Sequence, residues 1–179
     1  VDMAVKLGRS VVLYKNLGRI NYTDGLAAMK QHTKQHWKSM ENNSHTPNTL
    51  IICEHSPVYT TGIRDKSVKD IDNLEKLGAE FQYTDRGGLM TFHGPGQLMC
   101  YPILNLRHFT KNVRCYNEML EEVGIRTCQK FGLVAKRTGD PGVWVDDCKI
   151  AAIGRANLGL KQRVYKAIRE LVKPVADPA

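Results

Sequence analysis

Hydrophobic positions along the chain change period several times, and each change marks an element. Val11, Val12, Leu13 and Tyr14 predict a strand over residues 10–16. Thr23 or Asp24 then offers an N-cap to a helix running toward Asn42. Its apolar face is Leu26, Met29, Thr33, His36 or Trp37, and Met40, at helical spacing. The β-branched run at 49–54 predicts a buried strand, followed by a proline-bent loop at 55–62. A short helix near 70–77 is expected to end at Gly78. Strands are predicted near 80–84 and over 97–106, around a short strand-like run at 89–93. Residues 113–131 predict a second long helix, with Val113, Tyr116, Leu120, Val123, Thr127 and Phe131 inward and Gly132 closing it. Short strands are expected around 134–137, 142–146 and 149–154. From Leu160 a stripe of Leu160, Val164, Ile168 and Leu171 or Val172, set among Lys161, Arg163, Lys166, Arg169 and Lys173, predicts a basic amphipathic helix ended by Pro174 and packed on its own domain. Strands and helices mix without a regular βαβ beat, which implies an α+β sheet with helices on one side.

Composition narrows the function classes. At 179 residues the chain is most simply one domain with a real core. No apolar run approaches the roughly 20 residues that span a bilayer. The formal net charge of +8 favours acidic partners. Nucleic acid is disfavoured, because there is no Cys/His finger, no aromatic-glycine RNA motif and no dense basic run with interleaved aromatics. The five cysteines, Cys53, Cys100, Cys115, Cys128 and Cys148, show no Cys-x-x-Cys spacing and read as reduced thiols among apolar neighbours.

The densest chemical signal is residues 86–97, Arg-Gly-Gly-Leu-Met-Thr-Phe-His-Gly-Pro-Gly-Gln. Gly87, Gly88, Gly94 and Gly96 let main chain approach a ligand, and Pro95 stiffens the second turn. Arg86, Thr91 and His93 on such backbone suit a polar or carbonyl-bearing substrate, whereas the plainer reading is a hairpin with ordinary glycine turns. His32 and His36 stand four apart on a helix, but Thr33 takes the place of the glutamate a zinc motif needs, so no metal site is expected. Glu54 and His55 place ionisable groups at a strand end, where pocket residues are common. A Cys100–His93 dyad is conceivable, with Cys100 read as core. Lys149 opens an otherwise apolar strand after the turn at Asp146 and Asp147. It is either a strand-edge lysine in water or a fixed cation beside a reacting group.

Three segments, EHSPVYTTG (54–62), TDRGGLMTFHGPGQLMCYPIL (84–104) and PGVWVDDCKIAAIG (141–154), closely resemble the lipoyl(octanoyl) transferase family, in its order and near its spacings. The resemblance covers roughly residues 10–155. It implies the biotin/lipoate protein ligase-like α+β fold, also described as class II aminoacyl-tRNA synthetase/biotin synthetase-like, a mixed sheet with packed helices. It implies octanoyl transfer from octanoyl-acyl-carrier protein to a lysine of lipoyl domains in 2-oxoacid dehydrogenase E2 subunits and of the glycine-cleavage H protein, with no cofactor. It further implies that Arg86, Gly87, Gly88, Leu89, Met90, Thr91, Phe92 and His93 contact the acyl substrate. Lys149 becomes the family's catalytic lysine, and Ala152, Ile153 and Gly154 line the acyl site.

The chain departs from the family after Gly154. Members continue with a histidine-bearing segment and a Pro-Cys-Gly cysteine that takes the acyl group as a thioester, its pKa lowered by the lysine. Here no cysteine follows Cys148, and no histidine follows His108. Cys148 directly precedes Lys149, so a regular strand would point the two apart. The expectation is therefore an octanoyltransferase domain over residues 1–155, incomplete at its C-terminal end, and a divergent basic helical tail over 156–179 with an alternative or truncated terminus. Impaired transfer, a monomer and a mitochondrial location (cytoplasmic if bacterial) are expected with it. The alternatives are a non-catalytic isoform that binds acyl groups or lipoyl domains, and an ATP-dependent ligase-like enzyme.

Overall fold

A computed structural model describes residues 2–7, 10–42, 44, 47–63, 76, 78–86, 89–106, 112–156 and 163–169. Ten strands, β1 (Asp2–Leu7), β2 (Ser10–Ile20), β3 (Asn48–His55), β4 (Val58–Thr61), β5 (Glu80–Tyr83), β6 (Thr91–His93), β7 (Gln97–Ile103), β8 (Val143–Val145), β9 (Cys148–Ala156) and β10 (Arg163–Arg169), accompany helices α1 (Tyr22–Glu41) and α2 (Val113–Lys130). The large mixed sheet runs β1-β2-β3-β7-β10-β9-β8, and a small sheet runs β5-β4-β6. This is an α+β arrangement, as expected. The helix expected near residues 70–77 lies outside the described residues.

Helix α1 begins at Asn21, not at Thr23 or Asp24. The Asn21 side chain accepts from the Asp24 amide at 2.8 Å and donates to the Asp24 carboxylate at 2.7 Å, a reciprocal cap that fixes the first turn. Tyr22, Gly25, Met29, Thr33, His36 and Ser39 are its buried face. Met29 packs with Ile51, Cys53, Met99, Tyr101 and Ile103 of β3 and β7. Helix α2 turns a different face inward than its long apolar residues suggested. Tyr116, Ile125 and Cys128 are buried, while Val123 and Phe131 are 54% and 75% exposed. Ile125 and Cys128 pack with Val143, Ile150 and Ala151 of β8 and β9, and this contact sets the inward face.

Three further elements differ from expectation. Val58–Thr61, read as loop, is the central strand of the small sheet, paired on both sides. The strand expected at 134–137 is reduced to a single bridge between Lys136 and Trp144. The helix expected after Leu160 is a strand over Arg163–Arg169, inserted between β7 and β9. Its four-residue apolar spacing fits a helix, but two flanking strands present open backbone edges, and pairing with both satisfies donors and acceptors that a helix would leave bare.

The register places the helices on opposite faces of the large sheet rather than on one. Cys53 pairs with Met99, Met99 with Ala167, and Ala167 with Ala152, so Cys53, Met99 and Ala152 share the α1 face. Ala151, the neighbour of Ala152, points the other way and packs with Ile125 and Cys128 of α2.

Candidate functional site

The glycine segment delivers a connected polar chain to the space between the two sheets. His93 ends β6 and is 6% exposed. Its Nδ1 lies 2.6 Å from Gln97 Oε1, and its Nε2 lies 3.1 Å from Thr60 Oγ1. Gln97 Nε2 donates to the Phe92 carbonyl at 3.3 Å, which turns the amide oxygen toward His93. An amide oxygen only accepts, so Nδ1 carries the proton and Nε2 accepts from the Thr60 hydroxyl. Arg86 Nη2 donates to both the Thr60 carbonyl, at 2.7 Å, and Thr60 Oγ1, at 2.8 Å. Burial, reinforced by the Arg86 cation, pushes the His93 pKa down to about 4 despite the Gln97 bond. His93 is a neutral imidazole at physiological pH.

A second histidine sits beside it. His55 Nδ1 lies 3.2 Å from the Ile20 carbonyl, and its Nε2 lies 2.8 Å from Tyr101 Oη. The carbonyl fixes the proton on Nδ1, so Tyr101 donates to Nε2. Burial lowers the His55 pKa as well. Strand β2 reaches this position because Asn16 Oδ1 accepts from the Gly18 amide, Gly18 takes φ +63°, and the ladder resumes at Arg19 with Ile20 opposite His55. Tyr22 stacks on His93, ring centroids 6.0 Å apart, and meets the His55 ring edge-on at 5.2 Å. Gly25 leaves room for this group, since a Cβ there would lie 2.6 Å from His55 Cε1.

Tyr22, Leu26, Thr84, Asp85, Arg86, Thr91, His93, Met99, Tyr101 and Ala152 line a cavity of about 90 Å³ above this floor. Of the residues the sequence singled out, Arg86, Thr91, His93 and Ala152 come together there. Leu89, Met90 and Phe92 are exposed at 64%, 43% and 37%, and Phe92 packs on Tyr59 instead. They do not line the cavity. Gly87 and Gly88 lie outside the described residues. Ile153 is half-buried and flanks Ala152 on β9, while Gly154 pairs with Tyr165 of β10. Sequence reasoning missed Tyr22, Thr60, Gln97 and Tyr101. Gln97 closes the quoted glycine segment and could have been read with it. Tyr22 and Tyr101 look like core aromatics until the fold brings them to the histidines.

Lys149 reaches the cavity face through a bulge. Val143 pairs with Ala151, but Trp144 pairs with Lys149, so β9 carries one extra residue, Ile150, against β8. Ile150 and Ala151 are consecutive yet both buried against α2. The insertion turns Lys149 onto the face that Ala152 shares. Its ammonium lies 4.7 Å from the centroid of the Trp144 ring. None of the five cysteines accompanies it. Cys148 is exposed beside it on the strand, Cys115 and Cys128 belong to α2, and Cys100 alternates with Met99 away from the cavity face. Cys53 shares that face, 3.8 Å from His55 Nε2, but burial pushes its thiol up to about 12. It is protonated and poorly nucleophilic at neutral pH. Among the described residues no group of three or more His, Cys, Asp or Glu side chains could hold a metal.

Residues 21–166 match the family model described as the lipoyl protein ligase A/B catalytic domain. The chain is 50% identical over 148 residues to the mitochondrial octanoyl-[acyl-carrier-protein]:protein N-octanoyltransferase LIPT2 of Danio rerio, covering 82% of this chain and 65% of the relative. It is 41% identical over 146 residues to the human protein of that name (77% and 63% covered). An octanoyltransferase of Bacteroides fragilis is 42% identical over 132 residues (69% and 57%). The chain thus spans less than two thirds of the length of these curated relatives. Among solved structures, a bipartite lipoate protein ligase from Thermoplasma acidophilum, reported with its E2 lipoyl domain, aligns with a TM-score of 0.64 at 14% identity, covering 89% of this chain and 62% of that one. Lipoate-protein ligase A bound with ATP aligns at 0.62 and 13% identity, covering 89% and 67%.

Proposed function

Because the chain belongs to the lipoyl protein ligase A/B catalytic-domain family, we propose that its cavity takes an octanoyl group destined for protein lipoylation. The reading rests on one observation. Arg86, Thr91 and His93 of the glycine segment line a common cavity with Ala152 of β9, and the bulge in β9 turns Lys149 to the same face. Met99, Leu26 and Ala152 offer apolar wall to the alkyl chain, whose burial contributes roughly 0.8 kcal/mol per methylene. A void of ~150 Å³ accommodates benzene, so the cavity of about 90 Å³ encloses only part of an eight-carbon chain. The remainder extends toward the mouth. In this proposal the acyl carbonyl sits at that mouth, on the face Lys149 shares, where the ammonium would stabilise negative charge developing on its oxygen.

The donor in this proposal is octanoyl-acyl-carrier protein. The acceptors are the lipoyl domains of 2-oxoacid dehydrogenase E2 subunits and the glycine-cleavage H protein. On its own the chain transfers slowly, because Cys148, the thiol next to Lys149, alternates to the other face of β9, and Cys53, on the cavity face, is held protonated by burial. Incubation with octanoyl-acyl-carrier protein and an apo lipoyl domain, followed by intact mass measurement, tests this. The expected result is little acceptor octanoylation and no octanoyl adduct on any cysteine. Efficient octanoylation by this chain alone contradicts the impairment. Failure of octanamide to bind contradicts the acyl pocket itself.

The charge of +8 supports a second reading, capture of an acidic carrier or lipoyl domain without turnover. It predicts binding that weakens steeply with salt. Absence of binding at low ionic strength removes it. The names of the animal relatives carry a mitochondrial location, and we extend it to this chain, to be checked by fractionation. A monomer is expected by sedimentation.

A further inference from the structure

We propose that Trp144 is the positioning residue for Lys149, holding its ammonium on the cavity face as a fixed cation. The proposal rests on the acyl-site reading above and goes beyond it by identifying what aims the lysine.

Three independent constraints converge on this side chain. The bulge at Ile150 fixes which face it leaves from. Gly142 lies beneath its stem: a Cβ at that position would sit 3.2 Å from Lys149 Cε, 3.3 Å from Cδ and 2.7 Å from the Ala151 carbonyl oxygen. The methylenes therefore cross the glycine in a gap that any other residue would fill. At the far end the indole of Trp144 receives the ammonium at 4.7 Å, within the range of cation–π attraction.

The indole is itself held. Its Nε1 donates to the Asp140 carbonyl at 3.3 Å, and the Trp144 backbone exchanges two hydrogen bonds with Lys136. Glu121 of α2 accepts from the Gly142 amide at 3.0 Å and pairs with Arg137 at 3.2 Å, fastening this segment to the helix. The charged residues on the elements around Lys149 are Glu121, Lys136, Arg137, Asp140, Asp146 and Asp147. Among the described residues no carboxylate lies within 4.0 Å of its ammonium, and the ring face is the cation's partner. A flexible four-carbon stem with no such partner would sample many rotamers. The ring confines it.

The test compares Trp144→Leu with Trp144→Phe, each checked for an intact circular-dichroism melt. Two readouts follow position rather than folding. Ring-current displacement of the Lys149 ε-methylene proton resonances, in the free protein, is lost in the leucine variant and largely kept in the phenylalanine variant. In binding, octanoate carries a negative head toward Lys149, and octanamide does not. Trp144→Leu weakens octanoate about two- to fivefold, the range of an exposed cation–π contact, and leaves octanamide unchanged, whereas Trp144→Phe restores most of the difference. If octanamide binds the wild type and the leucine variant keeps the full octanoate preference, the positioning role is overturned. An unshifted ε-methylene in the wild type overturns it as well. Failure of octanamide to bind the wild type would instead strike the acyl-site reading, so the two failures are distinguishable.

Discussion

Gln97 Oε1 accepts from His93 Nδ1 at 2.6 Å, and this bond sets the direction of every proton from Gln97 through His93 to Thr60. Gln97→Leu leaves a buried N–H without an acceptor, which costs about 1–3 kcal/mol. Urea unfolding at pH 7 is expected to show a loss in that range. Gln97→Glu, which keeps an acceptor and offers a negative charge, is expected to raise the His93 pKa, readable by imidazole NMR.

Protonation of the same histidine opposes folding. His93 titrates near 4 in the native protein against an ordinary value of 6.5. Between those values the unfolded chain binds a proton that the native state does not, so stability falls as pH falls through this window. It is fully present above about pH 6.5. The His93 contribution is on the order of 3 kcal/mol, and His55, displaced in the same direction by burial, steepens the slope. Urea midpoints measured from pH 7.5 to 4.5 should decline accordingly. A flat profile across that range is incompatible with buried, neutral histidines.

Gly25 tests the packing beneath the site. Helix propensity favours Gly25→Ala by about 1 kcal/mol, but the new methyl would lie 2.6 Å from His55 Cε1. Overpacking of this kind costs about 1–3 kcal/mol. A net loss of thermal stability is expected, together with a changed His55 NMR titration. A variant more stable than wild type, with His55 unmoved, would show that the ring has room to retreat.

At Gly142 the backbone takes φ +135°, and a methyl would meet the Ala151 carbonyl. Gly142→Ala should cost about 1–3 kcal/mol from strain alone. It should also abolish selective octanoate binding, because the Lys149 stem loses its path. Calorimetry on the folded variant separates the two effects.

Much of this was legible in the sequence, and the misses share a cause. The strands at β3 and β7 and both long helices carry local periodicity strong enough to be read directly. The 86–97 segment announced itself through glycines, and Arg86, Thr91 and His93 do line the cavity. Phe92 misled because alternation on β6 sends it to the outer face, against Tyr59. Residues 163–169 misled more seriously: their stripe fits a helix, and only the vacancy between β7 and β9 makes them a strand. Tyr22 and Tyr101 were invisible for a related reason. Nothing local says that a helix start and a strand centre, far apart in the chain, will meet around two histidines.

The extra residue in β9 makes the chemistry of this edge a matter of number rather than identity. Substituting Ile150 alters packing under α2 but leaves the direction of Lys149 untouched. Adding a single position to β8 between Val143 and Trp144 would give Ile150 a partner, restore uninterrupted alternation along β9 and send the ammonium to the α2 side. Such a chain would retain every residue assigned to the site, in the same order, and would still have a cavity with no cation facing it. Comparison by residue identity alone would pass it as intact. The parity of a short strand is therefore a site determinant in its own right, carried by no side chain.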